Sequence, residues 1–159
     1  NVAIIMGDLA QNATQGRTEG AKQVLKDYPG IKVVGEQSAE WQRSKAIDLM
    51  NNWIVSGRKI DAVAANADEM AIGAAMAISQ AGMHPGTDIL VAGSDGGAAG
   101  LDAVKKGQLL VTAYQDNKGQ AVGSIDLAVK MVKKQPYDAE LTIPYQQITK
   151  DNYQAFLNP

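Results

Sequence analysis

Short apolar runs alternate along the chain with longer stretches whose apolar residues recur at helical spacing. Strand-length runs fall at 2–6, 31–34, 60–65, 89–93 and 109–113. A weaker run at 141–148 contains Pro144, which removes a ladder donor and suits an edge strand or a crossing segment. Helical periodicity predicts helices over 14–27, 42–56, 68–81, 98–106 and 117–134. The first stops at Tyr28-Pro29-Gly30, the second carries Ala46, Ile47, Met50, Trp53 and Ile54 on one face, and the third ends at Gly82. Strand and helix in regular alternation predict an α/β fold: a three-layer, open, mostly parallel sheet with helices on both faces. In such sheets ligands bind beyond the carboxyl ends of the strands. The loops there hold Asp8, Asn12, Asn66, Asp95 and Gln115, whereas the opposite loops hold Pro, Gly and Lys.

A length of 159 residues fits one ordinary domain, and 45% hydrophobic with 20% charged residues is a globular composition. Fifteen basic and 17 acidic residues are mixed without a basic block, which argues against nucleic acid as a partner. No cysteine is present, so disulfide and thiol chemistry are excluded while the compartment is left open. The apolar run at 2–6 begins one residue into the chain, and the expectation is a piece of a longer protein whose first half lies upstream.

Catalytic chemistry finds little to work with. His84 is the sole histidine, in a Gly- and Pro-rich loop before a strand, and reads as a solvated loop residue. Metal-ligand spacings are absent, and no cofactor is implied. The segment from Gly93 to Gly100 lacks the Gly-Lys-Ser/Thr ending of a phosphate loop and has Asp95 where a dinucleotide motif needs Gly. Asp8, Glu40, Asp68, Glu69 and Asp95 could in principle pair for glycoside hydrolysis, but Asp68 and Glu69 read as N-cap or first-turn residues of the helix that follows. The chain is expected not to be an enzyme.

Recognition of a hydroxylated ligand needs planar polar groups that bond neighbouring hydroxyls, and an aromatic face for the C–H side of a ring. Arg17, Asp95, Asn66, Gln115 and Trp41 supply both. Each also has a structural alternative: a surface ion pair for Arg17, core for Trp41, helix caps for Asp95 and Asn66, and a solvated hinge position for Gln115.

Five segments in order then carry a resemblance: Gly16-Arg17-Thr18-Glu19-Gly20, Ala39-Glu40-Trp41-Gln42-Arg43, Asn66 through Ala74, Gly93-Ser94-Asp95-Gly96 and Ala113-Tyr114-Gln115. Together they resemble the C-terminal half of the ribose-binding-protein-like, type I periplasmic sugar- and polyol-binding proteins. The resemblance implies that Arg17 and Asp95 bond hydroxyls, that Trp41 stacks on the ring, and that Gln115 closes the site. Ala67 stands where the family usually has a binding Asn, one place after Asn66, and Ser94 where many members have an aromatic. Both imply a pocket shaped differently from a ribose site.

The implied function is the substrate-binding component of an ABC-type importer. It would trap a sugar or polyol between two lobes and deliver it to the permease membrane subunits. Its place would be the periplasm, or a lipid anchor outside a Gram-positive cell. The implied division is a ligand-binding lobe at 1–115, a helix at 116–136 that packs on the other lobe, and a return segment at 137–159. Without the other lobe that helix would expose Val122, Ile125, Leu127, Val129 and Val132, and the isolated chain is expected to dimerise or swap domains. The effector domain of a LacI-type transcription regulator shares the fold and is the alternative.

Overall fold

The computed structural model describes residues 1–157. Its elements run in the order β1 (Val2–Met6), α1 (Asn12–Leu25), β2 (Val33–Ser38), α2 (Arg43–Val55), β3 (Ala62–Ala65), α3 (Asp68–Gln80), β4 (Leu90–Asp95), α4 (Ala98–Lys105), β5 (Val111–Tyr114), α5 (Asn117–Val132) and β6 (Gln146–Thr149), closing on a short 3-10 turn at Tyr153–Phe156. The strands form one six-stranded sheet in the order β2-β1-β3-β4-β5-β6. All neighbours are parallel except β5 and β6.

This is the α/β architecture that the alternating pattern predicts, with ends of β3, β4 and β5 shifted by one or two residues and larger departures at β2 and β6. The second strand begins two residues later than predicted and runs on through Gly35-Glu36-Gln37. Its polarity hid it, because β2 is an edge strand with half its residues exposed. The last strand is shorter than predicted and starts after Pro144, which lies outside the ladder where its missing N–H costs nothing.

The chain moves one way from β1 to β2 and the other way through β3, β4 and β5. Right-handed crossovers therefore place α1 on one face of the sheet and α2, α3 and α4 on the other. The second face is closely packed: Met50, Met70, Ile78 and Val104 are fully buried, and a side chain added at Gly73 would collide with the Arg43 carbonyl of α2. On the first face α1 is alone, and a cavity of about 520 Å³ lies between Gly16, Gly20 and Ala21 of the helix and Ile4, Ala64 and Ala92 of the sheet.

Helix α5 leaves this body. None of its residues is buried, and Val122, Ile125, Val129, Met131 and Val132 are exposed. Its N-terminus is capped by Asp116, which accepts from the Gly119 amide, and Leu141 of the return segment lies against Gly123. No helix among the described residues is long and apolar enough to cross a membrane.

Candidate ligand-binding site

The carboxyl ends of β1, β3, β4 and β5 share one edge of the sheet, and because β6 is antiparallel its first residue pairs with Tyr114 at that same edge. Arg17 reaches this edge from the second turn of α1. Its Nη1 donates to the Asn66 carbonyl at 2.6 Å and to Asp95 Oδ1 at 2.8 Å, and its Nη2 to Gln115 Oε1 at 3.0 Å and to the Tyr145 hydroxyl at 3.2 Å. The guanidinium carbon lies 5.8 Å from the ring centres of both Trp41 and Tyr145, within range of a cation–π attraction to each. Burial disfavours the charged guanidinium, but the bond to Tyr145 and the charge of Asp95 outweigh it and raise its pKa above the ordinary value. Arg17 is thus a fixed cation at any working pH. Its buried Nε has no partner among the described residues.

Trp41 is set by backbone and packing together. Glu40 and Trp41 both have positive φ, 52° and 64°, a conformation that L-residues rarely take. Ser38 Oγ holds the turn by accepting from the Glu40 amide and donating to the Gly7 carbonyl. The indole lies directly over Gly7, where any side chain would overlap the ring, and its N–H donates to Gln11 at 3.1 Å. Trp41 is half-buried, packing on the core with part of its surface free.

Asp95 ends β4 at φ 127°, followed by Gly96 at φ 69°. Its backbone is held by the Gln115 amide, which donates to its carbonyl at 3.0 Å, and its second carboxylate oxygen has no partner among the described residues. It does not cap the next helix, whose N-cap is Gly97 with no side-chain bond. Gln115 also donates from Nε2 to Gln120 at 3.2 Å, joining the edge to the start of α5.

Asn66 joins the cluster through its main chain. Its side-chain oxygen turns inward and accepts from the Gly7 amide at 3.2 Å and the Thr18 hydroxyl at 3.1 Å. It caps nothing, since the N-cap of α3 is the buried Ala67. Asp68 and Glu69 stand in the first turn of α3, one of the two places read for them. Asp68 opens α3, but its carboxylate accepts from the Thr112 hydroxyl at 2.6 Å and the Gly96 amide at 2.8 Å. Glu69 is paired with Arg43 through two bonds of 2.9 Å.

Four of the five predicted residues, Arg17, Trp41, Asp95 and Gln115, are thus brought together by their side chains, and Asn66 by its carbonyl. Tyr145 escaped the sequence reading. An antiparallel last strand would have signalled it, since the residue entering such a strand lies where the parallel strands end. His84 is a solvated loop residue, 81% exposed and paired with Asp88. Among the described residues no group of three or more His, Cys, Asp and Glu could hold a metal ion.

A carboxylate oxygen without a partner, an Arg17 fork whose bonds to Gln115 and Tyr145 a ligand hydroxyl can take over, and a half-buried indole at one strand edge suit a hydroxylated molecule. A family model for the periplasmic binding protein domain matches residues 1–136. A protein of Rhizobium meliloti provisionally named a rhizopine-binding protein is 41% identical over 155 residues, covering 96% of this chain and 50% of that one. The xylitol-binding protein of Mycolicibacterium smegmatis is 36% identical over 153 residues, covering 96% of this chain and 43% of its own length. The structure of an ABC transporter solute-binding protein from Bacillus halodurans with bound myo-inositol is 41% identical and superposes with a TM-score of 0.90, over 98% of this chain and 53% of that one. The chain spans about half the length of the curated relatives it matches. It belongs to the periplasmic binding protein domain family.

Proposed function

We propose that this chain is one jaw of a solute receptor that captures a sugar or polyol between two lobes and hands it to the membrane subunits of an ABC-type importer. The observation that carries the reading is the Arg17 cluster: a permanent cation 5.8 Å from the centres of two aromatic rings, with Asp95 and Gln115 fixed beside it at the strand ends. Arg17 exchanges its bonds to Gln115 and Tyr145 for one ligand hydroxyl, Asp95 accepts from the neighbouring hydroxyl through its second oxygen, Trp41 covers the C–H face of the ligand, and Gln115 closes the edge. The Asn66 carbonyl holds Arg17 in place. The role is passive, and the place of work is the periplasm or the outer face of the cell.

The names of the relatives, for rhizopine and xylitol, and the myo-inositol in the superposed structure support a polyhydroxylated ligand. Residues 116–136 then reach the second lobe, which accounts for a helix with no buried residue, and 137–157 return to complete the sheet through β6. Alone, the chain would bury the α5 face against a second copy. A regulatory effector domain has no observation in its favour.

Calorimetric titration of the full-length protein with myo-inositol, xylitol, D-allose and D-ribose tests the reading. A dissociation constant of roughly micromolar or tighter is expected for at least one of them. Silence across the panel from a folded protein overturns it.

A further inference from the structure

Asp95 can act on a ligand only if its backbone stays at φ 127°, in a region that L-residues rarely occupy. The main-chain bond from Gln115 holds one side of this turn. The other side is held by a residue that touches neither Arg17 nor the open edge. Asp68 is buried beneath the turn, 4% exposed, and its two carboxylate oxygens are divided between the turn that follows β4 and strand β5: Oδ2 accepts from the Gly96 amide at 2.8 Å and Oδ1 from the Thr112 hydroxyl at 2.6 Å. Space for it is cut from the neighbouring elements, because a side chain at Gly93 of β4 or at Gly100 of α4 would overlap the carboxylate.

We propose that Asp68 is the positioning residue of the site, a buried strut that locks the Asp95-Gly96 turn to β5 and so aims the Asp95 carboxylate at Arg17 and the ligand. This rests on the receptor reading for what the aim serves, and on geometry alone for the strut. The charged neighbour acting on Asp68 is Asp95 of β4; Thr112 of β5 and the Gly96 and Gly97 amides are neutral. Both bonds survive loss of the charge, since a neutral side chain of the same shape can still accept from the Gly96 amide while donating to Thr112. Shape and bonding, not charge, therefore do the work.

Asp68→Asn and Asp68→Ala separate the two, made in the full-length protein and read by titration with the same four polyols and by hydrogen exchange of the Gly96 amide. Asp68→Ala is expected to weaken binding about tenfold or more with circular dichroism unchanged, and Asp68→Asn to stay within about threefold of wild type. The Gly96 amide should be protected in the wild type and in Asp68→Asn, and exchange freely in Asp68→Ala. Wild-type affinity in Asp68→Ala, or an equal loss in Asp68→Asn, overturns the proposal while leaving the receptor reading intact. A wild type that binds none of the four polyols defeats that reading instead, and Gly96 exchange still decides the strut. If Asp68→Ala does not fold, Thr112→Val, which removes only the β5 anchor, should speed Gly96 exchange. An unchanged rate overturns the strut.

Discussion

The two faces of the sheet are built differently. Under α2, α3 and α4 the side chains interlock, with Met50, Met70, Ile78 and Val104 fully buried. On the opposite face α1 is lined with small residues, its buried positions are Thr14 and Thr18, and a cavity separates it from the strands. Stability is therefore concentrated on the face away from the helix that carries Arg17. Recognition and folding become separable, and substitutions on the two sides should have different consequences.

The largest effect is expected on the packed face. Ile78→Ala should cost about 2–5 kcal/mol of unfolding free energy in urea titration, with ligand affinity of the folded protein unchanged. Arg17→Ala should do the reverse. It removes the partner of the Asn66 carbonyl, Asp95, Gln115 and Tyr145, and about 2–4 kcal/mol of polyol binding should vanish in calorimetry while stability falls by only about 1–2 kcal/mol. An Arg17→Ala protein that binds normally but melts early would erase the contrast between the faces.

Asp68 sits between these extremes and gives a pH signature. Burial pushes its carboxyl pKa up from 3.8 to about 6, against the bonds from Thr112 and Gly96, which lower it. The folded state thus holds this proton more tightly than the unfolded chain does. The group's contribution to stability is smallest above pH 6 and grows as pH falls from about 7 to 5, by roughly 1–2 kcal/mol. Asp68→Asn should flatten that part of the profile in thermal unfolding measured at matched ionic strength. The smallest expected effect is Gly20→Ala on α1. A methyl there meets nothing within 4 Å, so the gain in helix propensity should stabilise by about 0.5–1 kcal/mol in the same urea assay.

The sequence carried different parts of this molecule with different clarity. The start of α3 was legible to the residue, because Asp68-Glu69 mark a first turn and a helical apolar period follows. Strand β2 was blurred because an exposed edge strand loses the apolar run that marks its buried neighbours. Arg17 stood out as a cation near the positive end of a helix, a place where it gains nothing unless it has partners elsewhere. The direction of a side chain was not legible. Asp68 stands in the first turn read for it, yet its carboxylate turns into the sheet, while Asn66 has the composition of a ligand group and spends its oxygen on Gly7 and Thr18. Such choices are made by contacts tens of residues away, which local pattern does not encode.

Shift mapping by nuclear magnetic resonance, with the full-length protein titrated by whichever polyol of the panel it binds most tightly, tests the site most directly. The account predicts concerted movement of the Trp41 indole, the Arg17 Nε–H and the Gly96 and Gln115 amides. Stationary signals there, with shifts gathered instead at the cleft of Gln37, Asp48 and Arg58 beside α2, would contradict it.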